Sequence, residues 1–135
     1  MEHKPYLTIE DAARIGAAAV AEARSHGWAV TIAVVDDGGQ LLWLQRLDGA
    51  APISAHIAPA KARTAALGRR ESKVYEDMIN QGRVSFLSAP AVQGLLEGGV
   101  PIMKDGQCIG AVGVSGVKSS EDAQIAKAGI AAIGL

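Results

Sequence analysis

Apolar positions near the start of the chain recur at helical spacing. Ile9, Ala13, Gly16, Val20 and Ala23 fall three and four residues apart, which predicts a helix with a single apolar stripe. Thr8 stands at its N-cap, Glu10 and Asp11 lie in the first turn where the macrodipole favours acidic side chains, and the stripe ends near His26 with Gly27 as the C-terminal glycine. The period then changes. Ala29 to Val35 is rich in β-branched residues, Asp36-Asp37-Gly38-Gly39 is turn chemistry, and Leu41 to Leu44 resumes an apolar run, so two antiparallel strands are expected.

The stretch from Ser54 to Leu67 is alanine-rich and poor in strand formers, which predicts a helix whose start Pro59 should kink or delay. A second helical piece is expected from Glu71 to Asn80, stopping before Gly82, and Arg83 to Gly99 reads as irregular with at most a short turn around Val92. Val100 to Met103 and Cys108 to Val114 flank Lys104-Asp105-Gly106-Gln107, a hairpin with Asp-Gly at its tip. Ser119 then caps a last helix running through Asp122, Ile125, Ala126, Ile130 and Ile133. The order is helix, two strands, two helices, hairpin, helix, without the strict strand-helix alternation of a parallel sheet. An antiparallel sheet with helices packed on it fits this order, as one α+β domain over residues 1–135.

Composition narrows the function classes. Apolar residues make up 49% of the chain and charged ones 20%, an ordinary globular balance, but glycine and alanine abound while Phe86 is the only phenylalanine. Small side chains let backbones approach closely, so the core should be thin and tightly layered. Thirteen basic against fourteen acidic residues leave a net charge of −1, and no basic cluster stands beside aromatic residues, which points away from nucleic acid and anionic membranes. With Cys108 as the only cysteine there is no intramolecular disulfide, Cys-x-x-Cys pair or multi-thiolate zinc site. No signal peptide and no membrane-length apolar run is read, and the cytoplasm is the expected compartment.

The candidate chemistry lies in two places. Gly98-Gly99-Val100-Pro101 and Gly113-Val114-Ser115-Gly116 sit at the two outer ends of one predicted hairpin, so pairing should bring them together at one edge of the sheet. Glycines there either wall a small-ligand pocket or let a helix pack tightly over the strand. Neither a nucleotide loop of the Gly-x-x-x-x-Gly-Lys-Ser/Thr type nor a strand-first Gly-x-Gly-x-x-Gly is present. Lys61 and Thr64, three apart, share a helix face; Lys61 could bind a carboxylate and Thr64 a ligand atom or a metal, or Thr64 could bond back to its own helix with Lys61 and Arg63 solvated. His56 could act as acid, base or ligand to haem iron, or be structural. His26 reads as a dipole residue at a helix end, His3 as part of a tail, and Cys108 as a small buried hydrophobe, although its thiolate could be a soft axial ligand. Ser115 has no histidine-acid partnership around it. Asp36, Asp37, Asp48 and Asp122 admit turn or cap readings, Asp122 through a capping box with Ser119. Asp122 also follows the Gly113–Gly116 loop, a place where ligands rest against a helix N-terminus.

Taken together, Val35-Asp36-Asp37-Gly38-Gly39, Arg46-x-Asp48-Gly49-Ala50, Lys61-Ala62-x-Thr64-Ala65, Gly98-Gly99-x-Pro101-Ile102, Asp105-Gly106-x-x-x-Gly110-x-x-Gly113-Val114-Ser115-Gly116 and Asp122-x-x-Ile125-Ala126-x-Ala128-Gly129 resemble the GlcG/HbpS-like family. That family is also called the haem-degrading or DUF336 domain and occurs at the C-terminal end of PduO-type proteins. The resemblance covers nearly the whole chain. It implies a profilin-like, three-layer α/β/α fold with a five-stranded antiparallel sheet, homo-oligomers that are often octamers, and haem or corrinoid binding in some members. Members frequently accompany glycolate, glycerol or diol use. In the secreted members a threonine of the Lys-Ala-x-Thr-Ala block contacts haem iron, and Thr64 holds that place here. The chain shows neither their secretion signal nor the adenosyltransferase domain of PduO-type proteins, so those particular roles are not carried over.

The expected function is therefore a cytoplasmic small-ligand-binding protein, with haem or another tetrapyrrole as cofactor. Its pocket would lie between the Lys61–Thr64 helix face and the Gly98 and Gly113 loops, taking in Gly99, Pro101, Ser115, Gly116 and Asp122, with Thr64 or His56 on the haem iron. Two alternatives stand beside it. One is a cofactor-independent enzyme acting on a small hydroxy acid or aldehyde, with Lys61 holding a carboxylate and Ser115, His56 or Asp122 handling protons. The other is a non-catalytic accessory subunit of a neighbouring enzyme.

Overall fold

In the computed structural model, which describes residues 1–135, Thr8 starts the first helix as expected. Its hydroxyl accepts from the Asp11 amide at 3.1 Å while the Asp11 carboxylate accepts from the Thr8 amide at 3.3 Å, a reciprocal cap for α1 (Ile9–Ser25). Gly27, at φ +71°, ends it. The buried side is Ala12, Ile15, Gly16, Ala19, Val20 and Ala23, which leaves Ala13 outside and Ile9 59% exposed, off the predicted stripe. The phase is set by fit. A Cβ at Gly16 would come within 2.6 Å of the Trp43 ring, so the helix turns its smallest residue to the bulkiest neighbour.

The strands are β1 (Thr31–Asp36), β2 (Leu41–Arg46), β3 (Gly99–Lys104) and β4 (Gln107–Ser115). They form one antiparallel sheet in the order β2-β1-β4-β3. Asp105 and Gly106 make the predicted two-residue hairpin tip, both at positive φ (52° and 74°), as the twist of paired strands demands. In the first hairpin the Asp36 carboxylate accepts from the amides of Gly38 and Gln40, each at 2.9 Å. The sheet has four strands and not the five implied by the family resemblance. The long span between Asn80 and β3 carries Gly82, Pro90 and Gly94 and holds a 3-10 turn over Val84–Ser88, ahead of the turn expected near Val92, and no strand.

The remaining helices are α2 (Ser54–Gly68), α3 (Lys73–Asn80) and α4 (Ser119–Ala131). Pro59 neither delays nor divides α2, which is already formed by Ser54; the proline ring removes one N–H in the second turn. Residue Lys118, not Ser119, caps α4, because the Glu121 carboxylate accepts from the Lys118 amide at 3.2 Å and draws the helix start back by one residue. One face of the sheet offers Ile32, Val34, Val100, Ile102, Val112 and Val114 to the layer of α1 and α4, where Ile15, Ile125 and Ile130 meet them. The other face offers Val35 and Ala111 to Ala62, Ala65 and Ala66 of α2. The result is three layers, with large branched side chains on one side of the sheet and very small ones on the other.

Candidate functional site

The two glycine ends of the β3–β4 hairpin do converge. Gly99 pairs in register with Gly113, and the Val114 amide donates to the Gly98 carbonyl at 3.1 Å. The space left by their missing side chains is filled by α2. A Cβ on Gly113 would lie 2.0 Å from the Ala58 carbonyl oxygen and 2.5 Å from the Ala62 nitrogen, and one on Gly99 would lie 2.2 Å from the Lys61 carbonyl oxygen. Helix backbone thus rests on strand backbone. None of the chain's surface clefts is lined by Gly98, Gly99, Gly113, Ser115, Gly116 or Asp122.

Lys61 runs through the passage that Gly98 opens. A Cβ there would stand 2.8 Å from the lysine Nζ. Beyond it the ammonium donates to the Val114 carbonyl at 3.0 Å and to the Asp122 carboxylate at 3.1 Å. The second Asp122 oxygen accepts from the Val117 amide at 3.2 Å. The lysine and aspartate side chains are only 4% and 2% exposed, so the pair is satisfied within the protein and removed from water. The carboxylate that Lys61 holds is the chain's own, and it comes from the opposite side of the sheet.

Burial pushes the Asp122 carboxyl above its ordinary 3.8, opposed by the Lys61 charge and by the hydrogen bonds from Lys61 and Val117. A carboxyl raised in the folded state keeps its proton longer than in the unfolded chain. Its contribution to stability is therefore largest below 3.8, falls as pH rises through the folded value, and is level above it. Carbon-detected NMR titration of the Asp122 carboxyl is expected to give a midpoint above 3.8. A midpoint below it would mean that Lys61 outweighs burial.

The other expected residues are spread over both sides of α2. Thr64 is fully buried, its hydroxyl donating to the Ala60 carbonyl at 3.0 Å within the helix. His56 is exposed on the outer side, its amide donating to the Ile53 carbonyl at 3.0 Å and its imidazole making no hydrogen bond. Ser115 is buried opposite Thr31, whose hydroxyl shares a 2.7 Å bond with Ser54, and Pro101 is half-buried opposite Ala111. Gly116, at φ +147°, backs onto the Ala29 carbonyl. The Cys108 thiol is buried, 3.3 Å from the Gly110 carbonyl and 3.8 Å from that of Ala66. No group of three or more His, Cys, Asp or Glu side chains is arranged to hold a metal ion. Reading the sequence missed the Ser72 knot: its hydroxyl donates to the Leu96 carbonyl and accepts from the Gly99 amide at 2.8 Å, fixing the loop before β3. A serine beside a helix start gave no sign of partners so far along the chain. No helix is long and apolar enough to cross a membrane.

The same fold and much of the same sequence occur in known proteins. The sequence profile of the family described as haem degrading protein HbpS-like matches residues 7–131. Protein GlcG of Escherichia coli strain K12 is 56% identical over 115 residues, 85% of each chain. A crystal structure of a double mutant of HbpS from Streptomyces reticuli superposes with a TM-score of 0.90 at 32% identity, covering 100% of this chain and 92% of that one. A PduOC:heme complex superposes with a TM-score of 0.83 at 29% identity over 95% of both chains.

Proposed function

The chain belongs to the HbpS-like family, and from that premise we propose that it binds haem or a related tetrapyrrole on the outer side of α2, with His56 as the ligand to iron. The observation that carries this reading is that a haem complex exists on the same fold over 95% of both chains. His56 suits iron ligation because its imidazole is open to solvent, free of hydrogen bonds, and one turn from Ile53, which is 63% exposed and offers an apolar surface to a macrocycle. Thr64, which holds the place of the threonine that contacts haem iron in the secreted members, could reach iron only by giving up its bond to Ala60 and its place between helix and sheet. The enzyme reading, which needed Lys61 for a substrate carboxylate, lacks a free ammonium because Asp122 already occupies it. A cytoplasmic homo-oligomer with a part in glycolate, glycerol or diol use belongs to the same proposal.

Titration with micromolar haem is expected to produce a saturating Soret shift that His56→Ala abolishes and Thr64→Ala retains. The absence of any spectral change would overturn the haem reading. Loss in Thr64→Ala alone, with the fold intact by circular dichroism, would move the iron to the buried side of α2.

A further inference from the structure

His56, Ala60 and Arg63 follow one another along the outer side of α2 at four- and three-residue spacing and so share a face. Where that face meets the loop after the 3-10 turn, Ala60, Arg63, Ala91 and Gln93 line an open cleft of about 250 Å³. Arg63 is fixed from two sides. Its stem lies over the β1–β2 turn, where a Cβ on Gly39 would come within 2.9 Å of the arginine Cγ, and its Nε–H donates to the Ala91 carbonyl at 3.1 Å. Ala91 presents that carbonyl from a backbone φ of +67°, a conformation that strains any residue with a Cβ. The loop is pinned beside it by Gly94, where a Cβ would lie 2.3 Å from the Ala60 carbonyl carbon and the Lys61 nitrogen.

None of the chain's five ion pairs includes Arg63, so no carboxylate of the chain occupies its guanidinium. With Nε committed to Ala91, the two terminal nitrogens remain, and their shared edge is a fork that holds a carboxylate through two parallel N–H bonds. Gln93 adds an amide on the same cleft, and the two alanines leave it room. At roughly 30 Å³ for each liquid water, the volume is that of a small molecule of about eight heavy atoms. We propose that this cleft binds the carboxylate of a small organic acid, with Arg63 supplying the bidentate fork and Gln93 a neutral hydrogen bond. The assignment uses neither His56 nor haem, so it stands or falls separately from the reading above.

The test is nitrogen-15 NMR of the full chain titrated with butyrate, with inorganic phosphate and sodium chloride in parallel. Butyrate is expected to give saturating shifts at the Arg63 Nε–H, the Gln93 side-chain amide and the Ala91 and Gly94 backbone amides. Binding should weaken at least tenfold in Arg63→Lys, which keeps the stem over Gly39 but loses the fork, vanish in Arg63→Gln, and be unchanged in Lys73→Ala, whose exposed side chain pairs with Asp77 away from the cleft. Shifts that rise linearly and match those from chloride, or that persist in Arg63→Gln, would overturn the site. Tighter saturation by phosphate than by butyrate would overturn the carboxylate assignment in favour of a phosphate ester.

Discussion

Gly113→Ala is expected to destabilise the protein by about 3 kcal/mol or more, lowering the melting temperature by roughly 10 °C. The new methyl group would fall 2.0 Å from the Ala58 carbonyl oxygen and 2.5 Å from the Ala62 nitrogen. Both are backbone atoms, so no side-chain rotation relieves the overlap, and α2 must lift from the sheet along the length it shares with β1, β3 and β4. Gly106→Asn is the control. Gly106 also has a positive φ, 74°, but a Cβ there meets nothing within 4 Å, and asparagine accepts that conformation in a hairpin tip. Thermal melts should separate the two variants clearly. A Gly113→Ala protein melting within a degree or two of the parent would mean that α2 does not rest on β4.

Lys61→Met should cost about 3–5 kcal/mol, because it leaves the Asp122 carboxylate buried without its cation. Methionine keeps the length of the stem through the Gly98 passage, so the loss reports on charge more than on volume. Two consequences separate this from a simple packing defect. The deficit should shrink as the pH falls, since the Asp122 carboxyl, already raised by burial, loses the Lys61 attraction that opposes the rise and takes up a proton more readily. The double variant Lys61→Met/Asp122→Asn should recover much of the stability, because a neutral amide needs no counter-ion and still accepts from Val117. Urea denaturation of both variants at several pH values measures these effects. Additive losses in the double variant would show that the two residues act independently.

Local chemistry made much of the fold legible. Thr8 with Asp11, and Asp105-Gly106 between apolar runs, announce their structures within a few residues, and the hairpin then fixes Gly98–Gly99 beside Gly113. The phase of α1 was harder to read because alanines lie on every side of it, and composition alone cannot tell Ala12 from Ala13 when both are apolar and small. The shape of the chain before β3 was illegible for a different reason: Ser72 and Arg63 hold it from outside through partners 24 or more residues away, and Gly94 through backbone contact with α2. Glycine positions cannot distinguish a ligand from a helix as the occupant of the space they leave, and here the structure puts α2 in it. Lys61 did carry a signal. It stands on the ridge of Ala58, Ala62 and Ala65, and a lysine on a buried ridge requires a buried acceptor. That the acceptor is Asp122, 61 positions away, follows only from the topology.

The Lys61–Asp122 pair also bears on how the molecule comes apart. The helices it joins lie on opposite faces of the sheet, and the lysine reaches around the end of β4 to connect them. Neither outer layer can therefore peel away while the rest stays folded without stranding a charge in the interior. Partial opening from α2 or from α4 is penalised at the same point, so the two helices should be lost in one cooperative step, as a single unit of unfolding that spans the sheet.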